Sequence, residues 1–170
     1  MGSIYNGAST IRIALLLMLV LVLGSCGFAL RGSDAVAANF RVLALNLEQP
    51  NSDLARLLES SLESAGVDTS PALGTSVPTL SLGSEQVISR PVTVNPRARA
   101  AQYEIRLSVP VSLVSGGDFL IPRQDLMVER RHFEDIANIA GNREEVEIIT
   151  AEMRRDLVNQ LMRRLQAAGS

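Results

Sequence analysis

The sequence predicts an α+β fold: a two-layer sandwich of two α-helices on a mostly antiparallel, mixed four-stranded sheet, in the order β-α-β-β-β-α. Three observations lead there. Apolar residues recur at i, i+3, i+4 over residues 52–65 and every four residues between 143 and 168. Between Tyr103 and Leu113, apolar and polar residues alternate without a miss, as a strand buried on one face requires. Past residue 25 the chain is about 43% apolar, carries no internal repeat and is long enough for one modest domain.

The elements follow in order. Ser33–Asn39 (SDAVAAN) is small and polar and reads as a tether. Phe40–Leu47 reads as a first strand. Pro50-Asn51-Ser52 then stops it and caps a helix over 52–65, with Leu54, Leu57, Leu58, Leu62 and Ala65 on one face and Gly66 past its end. Val67–Val77, broken by Pro71 and Gly74, predicts a loop or an irregular edge. Thr79–Ser89 reads as a second strand, and Arg90–Arg99 (RPVTVNPRAR) as an exposed turn stiffened by Pro91 and Pro96.

The third strand is the clearest. Tyr103, Ile105, Leu107, Val109, Val111 and Leu113 share one face; Gln102, Glu104, Arg106 and Ser108 share the other, and Pro110 hints at an edge or a bulge. Gly116-Gly117-Asp118 predicts a hairpin turn into a fourth strand, Phe119–Phe133. Along it Arg123, Asp125, Glu129 and Arg131 form a polar row interrupted by Met127 and Phe133, with Leu120, Leu126, Val128 and His132 opposite. Glu134–Asn142 reads as a loop. The last helix runs from Arg143 to Ala168 on Ile149, Met153, Leu157, Leu161 and Leu165, joined by Val146 and Val158.

The N-terminus differs from the rest. Residues 1–25 hold one charge, Arg12, followed by eleven unbroken apolar residues, Ile13–Leu23. That run is short of the roughly 20 residues a spanning helix needs, and it matches the apolar core of a secretory signal peptide. Its exit, Leu23-Gly24-Ser25-Cys26, resembles the bacterial lipobox. The resemblance implies cleavage before Cys26, diacylglycerol on its thiol and an acyl chain on the new amine. Two or more chains anchor stably where one does not. The expected organisation is a signal peptide over 1–25, a lipidated N-terminus and tether over 26–39, and a single domain over 40–168. Gly27, in place of Asp, lacks the inner-membrane retention signal of enteric bacteria, so the expected location is the outer membrane, facing the periplasm.

Composition narrows the chemistry. The one cysteine forms no intrachain disulfide, and one histidine with no Cys/His cluster gives no expectation of a metal site or cofactor. A serine triad would rest wholly on His132. Glu134 and Asp135 are neighbours without a mark of acid/base pairing. Net charge −3 after residue 25 and few aromatics speak against nucleic acid. All 16 basic residues are Arg, so any anion site is a guanidinium site. Arg90, Arg97 and Arg99 fall together without an acid between them, and Arg143 follows a second loop.

Four stretches, in order, are similar to the LptE family of lipopolysaccharide-assembly lipoproteins: Cys26–Gly32 (CGFALRG), Pro78–Leu82 (PTLSL), Ala101–Ile105 (AQYEI) and the helix Glu145–Leu165. The resemblance implies the same α/β sandwich and no enzymatic activity. It also implies a plug seated inside an LptD-type outer-membrane β-barrel, which helps that barrel assemble and binds lipopolysaccharide. In such proteins a basic residue before the long strand and another near the start of the last helix contact lipopolysaccharide. The matching candidates are Arg97, Arg99 and Arg143, with Cys26 as the lipidation site. The alternatives are a periplasm-facing lipoprotein that binds peptidoglycan or another protein, and an envelope hydrolase using His132 or Glu134/Asp135.

Overall fold

The computed structural model describes residues 34–71, 76–94, 100–133 and 139–169, all within one compact unit, Gly32–Ser170. Cys26 and the signal segment, Gly74, Arg97, Arg99, Glu134 and Asp135 lie outside the described residues. The elements are α1 (Asp34–Asn39), β1 (Ala44–Leu47), α2 (Asp53–Ser64), β2 (Thr79–Leu82), β3 (Gln86–Val94), β4 (Ala100–Ser115), β5 (Asp118–Phe133) and α3 (Ile139–Ala168). The class is the expected one, a mixed and mostly antiparallel sheet with helices against it. Among the described residues there are five strands rather than four, and three helices rather than two.

The additional helix is the expected tether. Val36 is wholly buried, and Phe40, whose N–H donates to the Val36 carbonyl at 2.7 Å, is nearly so. Two apolar side chains four residues apart thus lay α1 onto the core, with their burial offsetting the entropy of ordering a short helix. In α2 the Ser52 hydroxyl accepts from the Ala55 N–H at 3.1 Å, and Gly66 supplies the positive φ (+80°) that ends the helix. This helix carries the chain from β1 to β2, which pair in parallel, Ala44 with Thr79 through Leu47 with Leu82.

The additional strand comes from a break in the expected 79–89 run. Leu82 pairs with Val111 and Gln86 with Ser108, so three residues span two on β4. The break lies against Pro110, whose carbonyl accepts from the Gly83 N–H at 2.8 Å and which has no N–H to return. A side chain at Gly83 would meet the Pro110 ring at 3.0 Å. Beyond the break, β3 continues through Arg90–Val94, the expected turn. It tolerates Pro91 because it is an edge strand, and its register shifts after that residue.

The β4–β5 hairpin turns on Gly116 and Gly117, with φ of +61° and +97°, closed by the pair Ser115–Asp118. Two register shifts near that turn reverse the expected parity only at the turn end of β5, which otherwise alternates as expected. Ile121 faces the core and Leu120, expected inward, is exposed. Helix α3 begins four residues earlier than its periodicity predicts. Its Met153, Leu157, Leu161 and Leu165 are buried in one cluster with Ile105, Leu107, Val109, Val111 and Leu113 of β4 and Leu126 and Val128 of β5. Each such leucine contributes about 1.5–3 kcal/mol by leaving water. Arg154 links three elements: it donates to Glu85 at 2.8 Å, between β2 and β3, and to Asp53 of α2 at 3.4 Å.

Candidate functional site

The large apolar side chains fully buried among the described residues all belong to one cluster. The sheet face turned away from it carries Arg123, Asp125, Glu129 and Arg131 exposed along β5, as the alternation predicts. Cross-strand register organises this open face into rows. Ile88, Arg106 and Glu129 form one; Arg90, Glu104 and Arg131 form the next; Gln102 and Phe133 follow toward the strand ends. Arg106 donates to Glu129 at 2.7 Å.

Glu104 is the buried member of this face, with a side chain only 6% exposed. Arg90 donates through Nε and Nη2 to its Oε1 at 2.8 and 2.6 Å, and Arg131 Nε lies 3.5 Å from Oε2. The hydrogen bonds from Arg90 hold this carboxyl below its ordinary pKa, against the opposing effect of desolvation, with Arg131 assisting. Arg90 was expected in the basic turn with Arg97 and Arg99. It is instead a strand residue committed to an ion pair, because β3 runs on past the point where its prolines suggest a stop.

The described strand ends that flank the candidate anion ligands lie together. Val94 pairs with Ala100 and Gln102 with Phe133, so the chain leaves β3, enters β4 and leaves β5 at one end of the sheet. Arg97 and Arg99 belong to the segment joining β3 to β4. Arg143 is exposed one turn into α3, after the segment that leaves β5. Phe133, at the same end, is 71% exposed. Sequence alone left open whether Arg143 lies near the other loop; the strand order brings together the ends of β3, β4 and β5 that flank those segments.

Catalytic constellations are not assembled among the described residues. His132 is buried beside Tyr103, the rings stacked at 5.6 Å, and its Nδ1 has no hydrogen-bond partner. No group of three His, Cys, Asp or Glu side chains gathers in a metal-binding arrangement there. A pocket of about 180 Å³ on the open face is lined by Asn46, Ser81, Ser112, Arg123 and Glu48. Glu48 is already engaged by the Ser84 N–H and hydroxyl at 2.9 and 2.8 Å. No described helix is long and apolar enough to cross a membrane.

The family model for LptE, described as lipopolysaccharide-assembly, matches residues 40–165. The chain belongs to the LptE family. An LPS-assembly lipoprotein LptE from Yersinia pestis (strain Pestoides F) is 29% identical over 152 residues, covering 89% of this chain and 73% of the relative. The same figures hold for an LPS-assembly lipoprotein LptE of Yersinia pseudotuberculosis serotype O:1b (strain IP 31758). The fold resembles that of the rare lipoprotein B from Shewanella oneidensis, with TM-score 0.69 and 20% identity, covering 74% of this chain and 94% of that one. Lipoprotein B from Nitrosomonas europaea gives TM-score 0.68 at 18% identity, covering 83% and 91%. The matched span of this LptE-family chain includes the open face and the positions of Arg97, Arg99 and Arg143. Sequence reasoning passed over Glu104 as a site residue. Its one signal was an acid in a strand whose neighbours in space, unlike those in sequence, are arginines.

Proposed function

We propose that this chain is a non-enzymatic outer-membrane lipoprotein, anchored through Cys26, that seats as a plug in an LptD-type β-barrel, helps it assemble and binds lipopolysaccharide. Family membership supports the lipopolysaccharide-assembly role. The plug reading is carried by one observation: the face of the sheet opposite the core is uncovered among the described residues and interleaves charges with exposed Ile88, Met127 and Phe133. A wet barrel lumen suits such a face, since polar groups keep partners there while scattered apolar side chains bury. Lipopolysaccharide binding is proposed at Arg97 and Arg99, between β3 and β4, and at Arg143 near the start of α3. Guanidinium groups of Arg97, Arg99 and Arg143 would pair bidentately with lipid A phosphates.

Two measurements test this. Membrane extraction followed by affinity purification is expected to recover a large β-barrel protein with the chain. Recovery without one would overturn the plug reading and favour a lipoprotein serving another envelope ligand. Reversing charge at Arg97, Arg99 and Arg143 together is expected to weaken lipopolysaccharide binding by about tenfold or more. Unchanged binding would remove these residues from the site.

A further inference from the structure

We infer that Arg90, Glu104 and Arg131 form a phosphate-binding site on the open face of the sheet, separate from Arg97, Arg99 and Arg143. Three strands supply one residue each in direct register, and all three side chains project to the same face. The backbones of β3 and β5 lie two strand spacings apart, about 10 Å, and the guanidinium groups close inward from both sides onto Glu104.

Charge and donor counts then favour an anion. Two cations meet one carboxylate, so the cluster keeps an excess positive charge. Each guanidinium carries five N–H donors, more in total than one carboxylate can accept. The Arg90 and Arg131 side chains are 59% and 62% exposed, whereas Glu104 is enclosed beneath them. Glu104 thus occupies the inner edge of each fork, competing for its donors, and leaves the outer edges to solvent. The adjacent row does not compete, because its acid, Glu129, is engaged by Arg106.

The flanks add an apolar component. Ile88 precedes Arg90 by two residues on β3 and is 53% exposed; Phe133 follows Arg131 by two on β5. Both lie on the open face beside the guanidinium pair. A phosphate monoester with an alkyl substituent meets charge and apolar surface together, whereas free phosphate meets only the charge.

Calorimetric titration of the full chain, in a non-ionic detergent at low salt, with inorganic phosphate and with butyl phosphate tests the site. Both probes are expected to bind, butyl phosphate more tightly. R90Q/R131Q is expected to weaken both by about tenfold or more, as loss of bidentate pairing requires. E104Q removes the competing carboxylate and is expected to strengthen binding, an effect that a purely structural ion pair would not produce. Thermal melts identify variants that fail to fold, and the single variants R90Q and R131Q, each expected to weaken binding partly, substitute for a double variant that does. Binding unchanged in the folded arginine variants would overturn the site, as would weaker binding in folded E104Q. Equal affinity for the two probes would overturn the amphiphile preference and leave free phosphate as the ligand. In an R97E/R99E/R143E background the butyl phosphate binding that remains is expected to be lost on adding R90Q/R131Q. No remaining binding in that background would overturn the separateness of the two sites.

Discussion

The two faces of β4 carry opposite chemistry on one strand. Ile105, Leu107, Val109, Val111 and Leu113 are at most 1% exposed against α3 and its neighbours. One residue away in each case, Glu104, Arg106 and Ser108 face outward, and a charge among them is buried only by its ion pairs. The dry face draws its stability from apolar area and shape, so it is sensitive to volume. The open face contributes little to stability and presents charge in fixed register, so it is sensitive to what it meets. A two-residue period thus separates the part of the molecule that folds it from the part left open.

The sharpest way to break this contrast is on the dry face. Leu157→Ala, at a fully buried position in α3, is expected to cost about 2–5 kcal/mol, read from the denaturant midpoint. A loss below about 1 kcal/mol would mean that α3 packs more loosely than described. Next is Arg154→Ala. It strands Glu85, whose side chain is 10% exposed, and separates α3 from α2 and the β2–β3 break. About 1–3 kcal/mol is expected, and Arg154→Met should recover packing without recovering the charge.

A smaller effect depends on pH. Glu104 has its folded pKa lowered from the ordinary 4.5, so its ionised form stabilises the fold above that value. The stability is lost as pH falls from about 4.5 through the lowered folded value. The stability difference between wild type and E104Q should therefore hold constant near neutrality and narrow on acidification, as followed by urea melts from pH 7 to pH 3. A constant difference throughout would dissociate the carboxylate from stability. The smallest effect is on the open face: Met127→Ser, at a side chain 47% exposed, should change stability by less than about 0.5 kcal/mol. If the open face meets a barrel wall, the same change lowers co-purification of the barrel while the melt stays put.

Helix α2 was legible almost to the residue, because a serine cap, a leucine stripe and a terminal glycine are local signals that agree. The β4–β5 hairpin was legible for the same reason, with paired glycines between two alternating runs. The candidate site was legible only in part. Exposure of Arg143 follows from its place in a polar segment, whereas Arg90 was assigned to a turn and proved to be a strand residue bound to Glu104. The split of the 79–89 run depends on Pro110, some 27 residues away, which has no N–H to offer the strand beside it. The parity of Leu120 and Ile121 likewise depends on bulges set by β4.

By itself, then, the amino-acid order determined the class of fold, the long helices and the alternating strands, since these rest on periodicity and capping within a few residues. The lipobox-like cysteine and the family resemblance belong to that local reading too. Only the tertiary structure decided that β3 is an edge strand running past its prolines, that α1 folds back onto the core, and that Arg90 and Arg131 meet over Glu104. Those outcomes depend on which strands become neighbours. Neighbours in a sheet are chosen by the burial of one shared core, a property of the whole chain that no local stretch contains.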